Sequence, residues 1–317
     1  MSTEGWARSW QEASLLGTVL ALSLLTCGCS LRQLAINKAA DTLASGSTVF
    51  ASDDDPELIR AAAPFSLKLM ESVLAEAPRH RGLLAAASGG FTQYAYAFVS
   101  QDAERLETVD LALAEAHRSR ARTLYRRARD YGLRGLDAAH GDFSERLRRD
   151  PPDAVSAARR EDVALLYWTA ASWAALISLS KEDPELIADL PQVEALIDRA
   201  AALDESFDSG AIHSFLITYE MVRPGGKGSP EARARAHFAR AVELSRGQQA
   251  GPYVALAEAV SIARQDRAEF RSLLARALAV DVNARPEWRL ANSVMQQRAR
   301  WLLASGDQLF ADEGVGP

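Results

Sequence analysis

Apolar positions recur along this chain at helical rather than strand-like intervals. In "VALLYWTAASWAALISLS" (163–180) they form two stripes, Leu166, Ala170, Trp173 and Ile177 on one and Trp168, Ala171, Ala175 and Leu179 on the other. A helix apolar on both sides is either buried between neighbours or lines an apolar cavity. "GLLAAASGGFTQYAYAFVS" (82–100) is uncharged in the same way, and its Gly89-Gly90 lets a ligand or an adjacent helix come close to the backbone. Both runs are rich in Ala, Ser, Thr and Gly and lack the expected basic flanks, so their length does not make them membrane spans. "HRSRARTLYRRARDYGLRG" (117–135) is amphipathic instead. Arg118, Arg122, Arg126 and Arg129 follow one face, and Leu124, Tyr125, Ala128 and Tyr131 the other. The arginines read first as a solvated face and second as a patch for an acidic partner or lipid head groups.

Helix starts are marked by Asp55-Pro56-Glu57, Asp183-Pro184-Glu185 and Ser229-Pro230-Glu231, each an N-cap, a proline at the first helical position and an acid in the first turn. Similar junctions recur as "AALDESFDSG", "AVELSRGQQAG" and "ALAVDVNARP". Aligning Glu205, Arg246 and Val282 in them gives spacings of 41 and 36 residues. These bracket the periods of helical-hairpin repeats near and above ~34 residues. A single hairpin cannot bury its own apolar face, so neighbours stack. With no strand-like alternation of useful length, the pattern predicts an all-α, TPR-like (tetratricopeptide-like) helical-hairpin repeat array, an α-α superhelix, over residues 51–311. An irregular helical bundle is the alternative.

The N-terminus has different chemistry. An uncharged run, "ASLLGTVLALSLLT" (13–26), leads into the chain's two cysteines, Cys27 and Cys29. A disulfide between i and i+2 is strained, and a zinc site would need two more ligands that the scattered His80, His117, His140, His213 and His237 do not offer as a close pair. Leu25, Thr26, Cys27 and Gly28 before Cys29 resemble a bacterial lipobox, although the region ahead lacks a positive excess and Cys27 could itself be the modified residue. This reading makes 1–28 a lipoprotein signal peptide, Cys29 the lipidated residue, 29–50 the lipid-anchored segment with a first helix, and 312–317 a flexible tail. Two or three acyl chains, palmitate among them, anchor a protein stably. Ser30, rather than Asp, resembles default sorting to the outer membrane.

Composition adds limits. A net charge of −6 makes nucleic acid a poor partner, and 48% hydrophobic residues suffice for a large core. The Ala- and Leu-rich make-up favours helices.

From residue 161 onward, "YWTAASWAALISLS" (167–180), "DLPQVEALIDRAAALDESFDSGAIHSFL" (189–216), "HFARAVELSRGQQAGPYVALAEAV" (237–260), "FRSLLARALAVD" (270–281) and "RLANSVMQQRARWLL" (289–303) resemble, in order, the T component associated with tripartite ATP-independent periplasmic (TRAP) transporters, the TatT family. "CGCSLRQLAINKAADTL" resembles the family's N-terminus, whereas 102–160, with the insertion-like "HGDFSERLRRDPPDAVSAARRE", matches least. The resemblance implies a helical periplasmic lipoprotein working beside a TRAP solute-binding protein. It also implies a homotrimer with an internal cleft for an apolar ligand.

Aromatic residues on the uncharged helices are the ligand-cleft candidates: Tyr94, Tyr96, Phe98, Tyr167, Trp168 and Trp173. Ordinary core packing is the first reading of these helices and the cleft the second. His213 reads as a packing residue with no second histidine or carboxylate at metal spacing. "RPGGKGSPEARARAHFARA" lacks the spacing and preceding strand of a phosphate loop and reads as an interhelical loop ending in a cap. No catalytic, metal-binding or cofactor-binding motif is present, so the expectation is a non-enzyme. It would be lipid-anchored in the periplasm, docking a TRAP solute-binding protein and holding a hydrophobic small molecule. The runner-up is a repeat scaffold for envelope assembly with no small-molecule ligand.

Overall fold

The computed structural model describes residues 32–311, all of whose regular structure is helical. The leader, Cys27, Cys29 and the tail from 312 lie outside the described residues. After α1 (32–45) come α2 (Ser47–Ala51), α3 (Pro56–Glu76) and α4 (Arg81–Tyr94). A π-helical turn (Ala95–Ser100) carries α4 into α5 (Gln101–Leu106), and α6 (Leu111–His140) follows. Next are α7 (Phe143–Arg149), α8 (Pro151–Ser156), α9 (Val163–Ser178), α10 (Pro184–Ile187), α11 (Leu190–Leu203), α12 (Ala211–Tyr219) and α13 (Pro230–Leu244). Then α14 (Gly251–Leu256) runs into a second π turn (Ala257–Ser261), before α15 (Arg267–Leu278), α16 (Arg289–Ala304) and α17 (Gly306–Leu309).

The caps read from the sequence are formed. The Asp55 carboxylate accepts from the backbone N–H of Glu57 and Leu58, Asp183 from Glu185 and Leu186, and the Ser229 hydroxyl from Ala232. Such a cap stabilises a helix by about 1 kcal/mol. Successive helices then pack in pairs: α4 on α6, α9 on α11, α12 on α13 and α14 on α15. On α11, α13 and α15, Ala200, Ala241 and Ala277 are without accessible surface and stand 41 and 36 residues apart.

Helix α6 is the long strut between α4 and α9. Its close approach to α9 depends on Gly132, where a Cβ would sit 2.0 Å from the Thr169 hydroxyl. The arginine face of α6 differs from the solvated stripe expected. Arg118 pairs with Glu107 and Glu115, Arg122 with Glu115, and Arg129 with Asp130 while lying over the Trp173 ring. Arg126 stays exposed, with no acidic partner among the described residues. The insertion-like segment folds as α7 and α8 and buries Phe143 and Leu147. Just beyond it, the buried Asp162 accepts from His140 at 2.8 Å and pairs with Arg81, tying α6 and α4 to the start of α9.

The array returns on itself. Helix α16 packs against α2 and α3, and Val294 joins Ile59, Leu67 and Phe91 in one core cluster. The Arg289 guanidinium donates to the Ser52 carbonyl at 2.9 Å, across 237 residues of sequence. At this closure Tyr96 and Glu104 meet α16 through Met295 and Arg298.

Candidate functional site

The two stripes of α9 have different environments. Leu166, Ala170, Trp173 and Ile177 are buried, whereas Trp168, Ala171, Ala175 and Leu179 keep accessible surface. On α4 and its π turn, Ala86, Gln93 and Tyr96 are likewise open. Otherwise buried helices therefore keep some accessible surface at these positions, most of it at Gln93 and Tyr96.

Both π turns lie where the largest polar side chains meet. A π turn inserts one residue into a helix, re-aims the side chains beyond it, and is frequent at functional sites. The first places Tyr96, whose hydroxyl lies 3.9 Å from the Met295 sulfur on α16. The second places Glu258, whose carboxylate accepts from Arg298 Nε at 3.1 Å and also from its Nη2. Arg298 Nη2 pairs in addition with Glu104, and the guanidinium lies over the Trp301 ring at 4.5 Å.

Tyr96 is 41% accessible, yet surrounding protein pushes its phenol far above the ordinary value, with the Glu258 carboxylate adding to the effect. Tyr96 is thus a solvent-reached side chain at a crowded part of the closure. Burial also raises the Glu258 carboxyl, against the opposing pull of Arg298. Arg298 is only 6% accessible, and its Nη1 is buried without a hydrogen-bond partner.

A second crowded but open carboxyl is Asp208, in a left-handed backbone conformation (φ 44°) and raised by burial. It neighbours Phe207 and Tyr167, whose rings are 5.4 Å apart, and the Tyr167 ring lies 4.7 Å from that of Trp168. Trp168 in turn rests on Gly89, where a Cβ would be 2.9 Å from the indole. The glycine pair thus admits a neighbouring side chain, and Gly90 does the same for Leu67.

The structure divides the six aromatic candidates. Tyr94, Phe98 and Trp173 are buried with internal partners. Tyr94 accepts from Arg120 at 3.2 Å, Phe98 lies under Arg60, and Trp173 Nε1 donates to Asp189 at 3.2 Å. Tyr96 is exposed and Trp168 part-buried, with Tyr167 buried between Trp168 and Phe207. Among the described residues no ring pair joins Tyr96 to the Tyr167–Trp168 group. Sequence reasoning missed Glu104, Glu258, Met295, Arg298 and Asp208. The one signal was Glu258, a lone acid in the apolar run "GPYVALAEAV".

His213 corrects the sequence reading. Across the α12–α13 hairpin its Nδ1 lies 2.8 Å from His237 Nδ1, and its Nε2 is 3.3 Å from Glu205, so the histidines do form a close pair. At that distance the two nitrogens share one proton in a hydrogen bond. Burial lowers both imidazoles, and His213 lowers His237 further. Among the described residues no group of three or more His, Cys, Asp or Glu could hold a metal ion, and no helix is long and apolar enough to cross a membrane. On the outer face of α6 an open basin of about 330 Å³ is lined by Thr123, Arg126, Arg127, Asp130, Tyr131 and Arg134.

Two comparisons bear on this architecture. The family model described as TRAP transporter T-component matches residues 52–310. A Treponema pallidum (strain Nichols) protein, described as uncharacterized, is 29% identical over 314 residues, covering 92% of this chain and 96% of its own length.

Proposed function

We propose, since the chain belongs to the TRAP transporter T-component family, that it is a periplasmic accessory protein of a TRAP system that docks the solute-binding protein and holds a hydrophobic small molecule. The family match over residues 52–310 carries the accessory role. The ligand role is supported by Tyr96 and Trp168, large aromatic side chains that keep accessible surface on otherwise buried helices. Mostly apolar walls with a few convergent polar groups suit a small-molecule site. Such a site delivers or shelters its ligand by differential binding and needs no bond-making residue, so the reading is non-enzymatic.

Cys29 is the proposed lipid anchor, outer-membrane sorting its consequence, and a homotrimer the proposed assembly. Exposed Leu58, Phe65 and Leu69, on one face of α3, support an assembly or docking contact. The test is sedimentation of the full chain in lipid nanodiscs with the solute-binding protein of its own TRAP system. Co-sedimentation at micromolar concentration supports docking. Independent migration at every concentration contradicts it and favours a scaffold for other envelope proteins.

A further inference from the structure

Helix α3 turns an apolar stripe away from the core. Leu58, Ala61, Phe65 and Leu69 stand three or four positions apart, so they share one face, and all four are exposed. Ile59, Leu67 and Leu74 on the opposite side are buried. With Phe65 75% accessible, a stripe of this kind marks a protein or membrane contact.

Its flank decides which. Lys68, exposed at the edge of the stripe, pairs with Glu71, which also meets Arg127 and accepts from the Tyr131 hydroxyl of α6. These links join the stripe to the open basin on α6 that Arg126, Arg127 and Arg134 line. Farther along this seam Arg134 donates to the Pro78 carbonyl and Arg79 to the Ala138 carbonyl. Arg79, Arg126 and Arg134 have no acidic partner among the described residues. The neighbouring acids are already matched: Glu57 by Arg60, Glu71 by Lys68, Glu76 by Arg32 and Asp130 by Arg129. Surplus arginine beside an apolar strip, on a chain of net charge −6, fits an anionic surface with an apolar interior.

The covalent attachment lies at one end of the same helix. Arg32, at the start of α1, pairs with Glu76 in the last turn of α3. Cys29 precedes Arg32 by three residues, a span of at most about 11 Å. The inference rests on the proposed lipid at Cys29, which brings this end of α3 to the bilayer and makes any further contact intramolecular.

We propose that α3 and the adjoining arginine seam of α6 form a membrane-facing surface. Leu58, Phe65 and Leu69 enter the headgroup region of the bilayer that carries Cys29, and Arg126 and Arg134 meet the phosphates of anionic phospholipid. Each arginine near an anionic surface favours the seated form by about fivefold, and salt weakens the effect.

The test uses the lipidated full chain with Ala61→Cys, a change that leaves Leu58, Phe65 and Leu69 in place, labelled there with an environment-sensitive dye. It is placed on phosphatidylcholine vesicles with or without about one-third phosphatidylglycerol. Flotation reports the anchor, and quenching by doxyl-labelled lipid reports the depth of position 61. Val222→Cys, at another exposed apolar residue, is the control. On the anionic vesicles quenching at position 61 is expected to exceed that at 222 at least about threefold. Phe65→Ser with Leu69→Ser, and separately Arg126→Gln with Arg134→Gln, are expected to bring it down severalfold with helix content unchanged by circular dichroism. Flotation without quenching at 61, or equal quenching at 61 and 222, overturns the proposal while keeping the anchor. Quenching indifferent both to the arginines and to phosphatidylglycerol overturns it too. Shielding of position 61 from aqueous iodide that grows with protein concentration, without lipid quenching, gives the face to a second copy and overturns it. Failure to float overturns the anchor reading itself.

Discussion

The Arg289 guanidinium and the Ser52 carbonyl, 237 residues apart, meet at 2.9 Å and help to hold the last long helix against the start of the array. Arg289→Ala is expected to cost about 1.5–3 kcal/mol, the range for a hydrogen bond from a charged donor. Hydrogen exchange checks the location of the loss. Protection should fall together in α2–α3 and α16 while α11–α13 keeps its own. A loss confined to α16 would mean that the two ends do not support one another.

Gly132 sets the distance between α6 and α9. Gly132→Ala places a methyl 2.0 Å from the Thr169 hydroxyl and should cost about 1–3 kcal/mol by urea unfolding, the cost of an overpacked core. Adding Thr169→Ala removes the nearest atom and should recover part of the loss. Strict additivity of the two changes would contradict direct contact.

Two tryptophans five residues apart on α9 should behave differently. Trp173 is buried, bonded to Asp189 and covered by Arg129, so Trp173→Ala should cost about 3–5 kcal/mol. It would also leave the Asp189 carboxyl, already raised by burial, without its indole donor. Trp168 is only part-buried, so Trp168→Ala should keep the fold and lose ligand. Equal destabilisation in denaturant melts would make both tryptophans plain core.

The His213–His237 pair gives stability a pH dependence of known sign. Burial depresses both imidazoles in the folded chain, so the unfolded chain takes up protons first as pH falls. The contribution is fully present above the unfolded value of about 6.5 and is lost as pH drops through that value toward the lowered folded ones. Urea midpoints for His237→Phe should vary less between pH 7.5 and 5 than those of the parent. An unchanged slope would show that the pair does not titrate with folding.

The sequence made local signals readable because each rests on a few adjacent residues. Asp55, Asp183 and Ser229 cap helices through side chains two or three positions away, and Ala200, Ala241 and Ala277 fall on buried faces. The stripe pattern of α9 also grouped Leu166, Ala170, Trp173 and Ile177, which are buried together, since 3.6-residue periodicity fixes which residues share a face. What sequence could not show depends on helices distant along the chain. His213 meets His237 across a hairpin, and Tyr96 meets Met295 199 residues away. The π turns add one residue to a helix with no compositional mark, so Tyr96 and Glu258 are re-aimed in a way that a regular helical wheel misplaces.

The most direct test is organic extraction of the full chain purified from its own envelope, with mass spectrometry of the extract alongside a Tyr96→Phe, Trp168→Ala double variant. We expect an apolar compound near one-to-one stoichiometry in the parent protein and its loss from a variant that keeps its helix content. No stoichiometric compound in the parent, or equal retention by the folded variant, would contradict a ligand held at these aromatic residues.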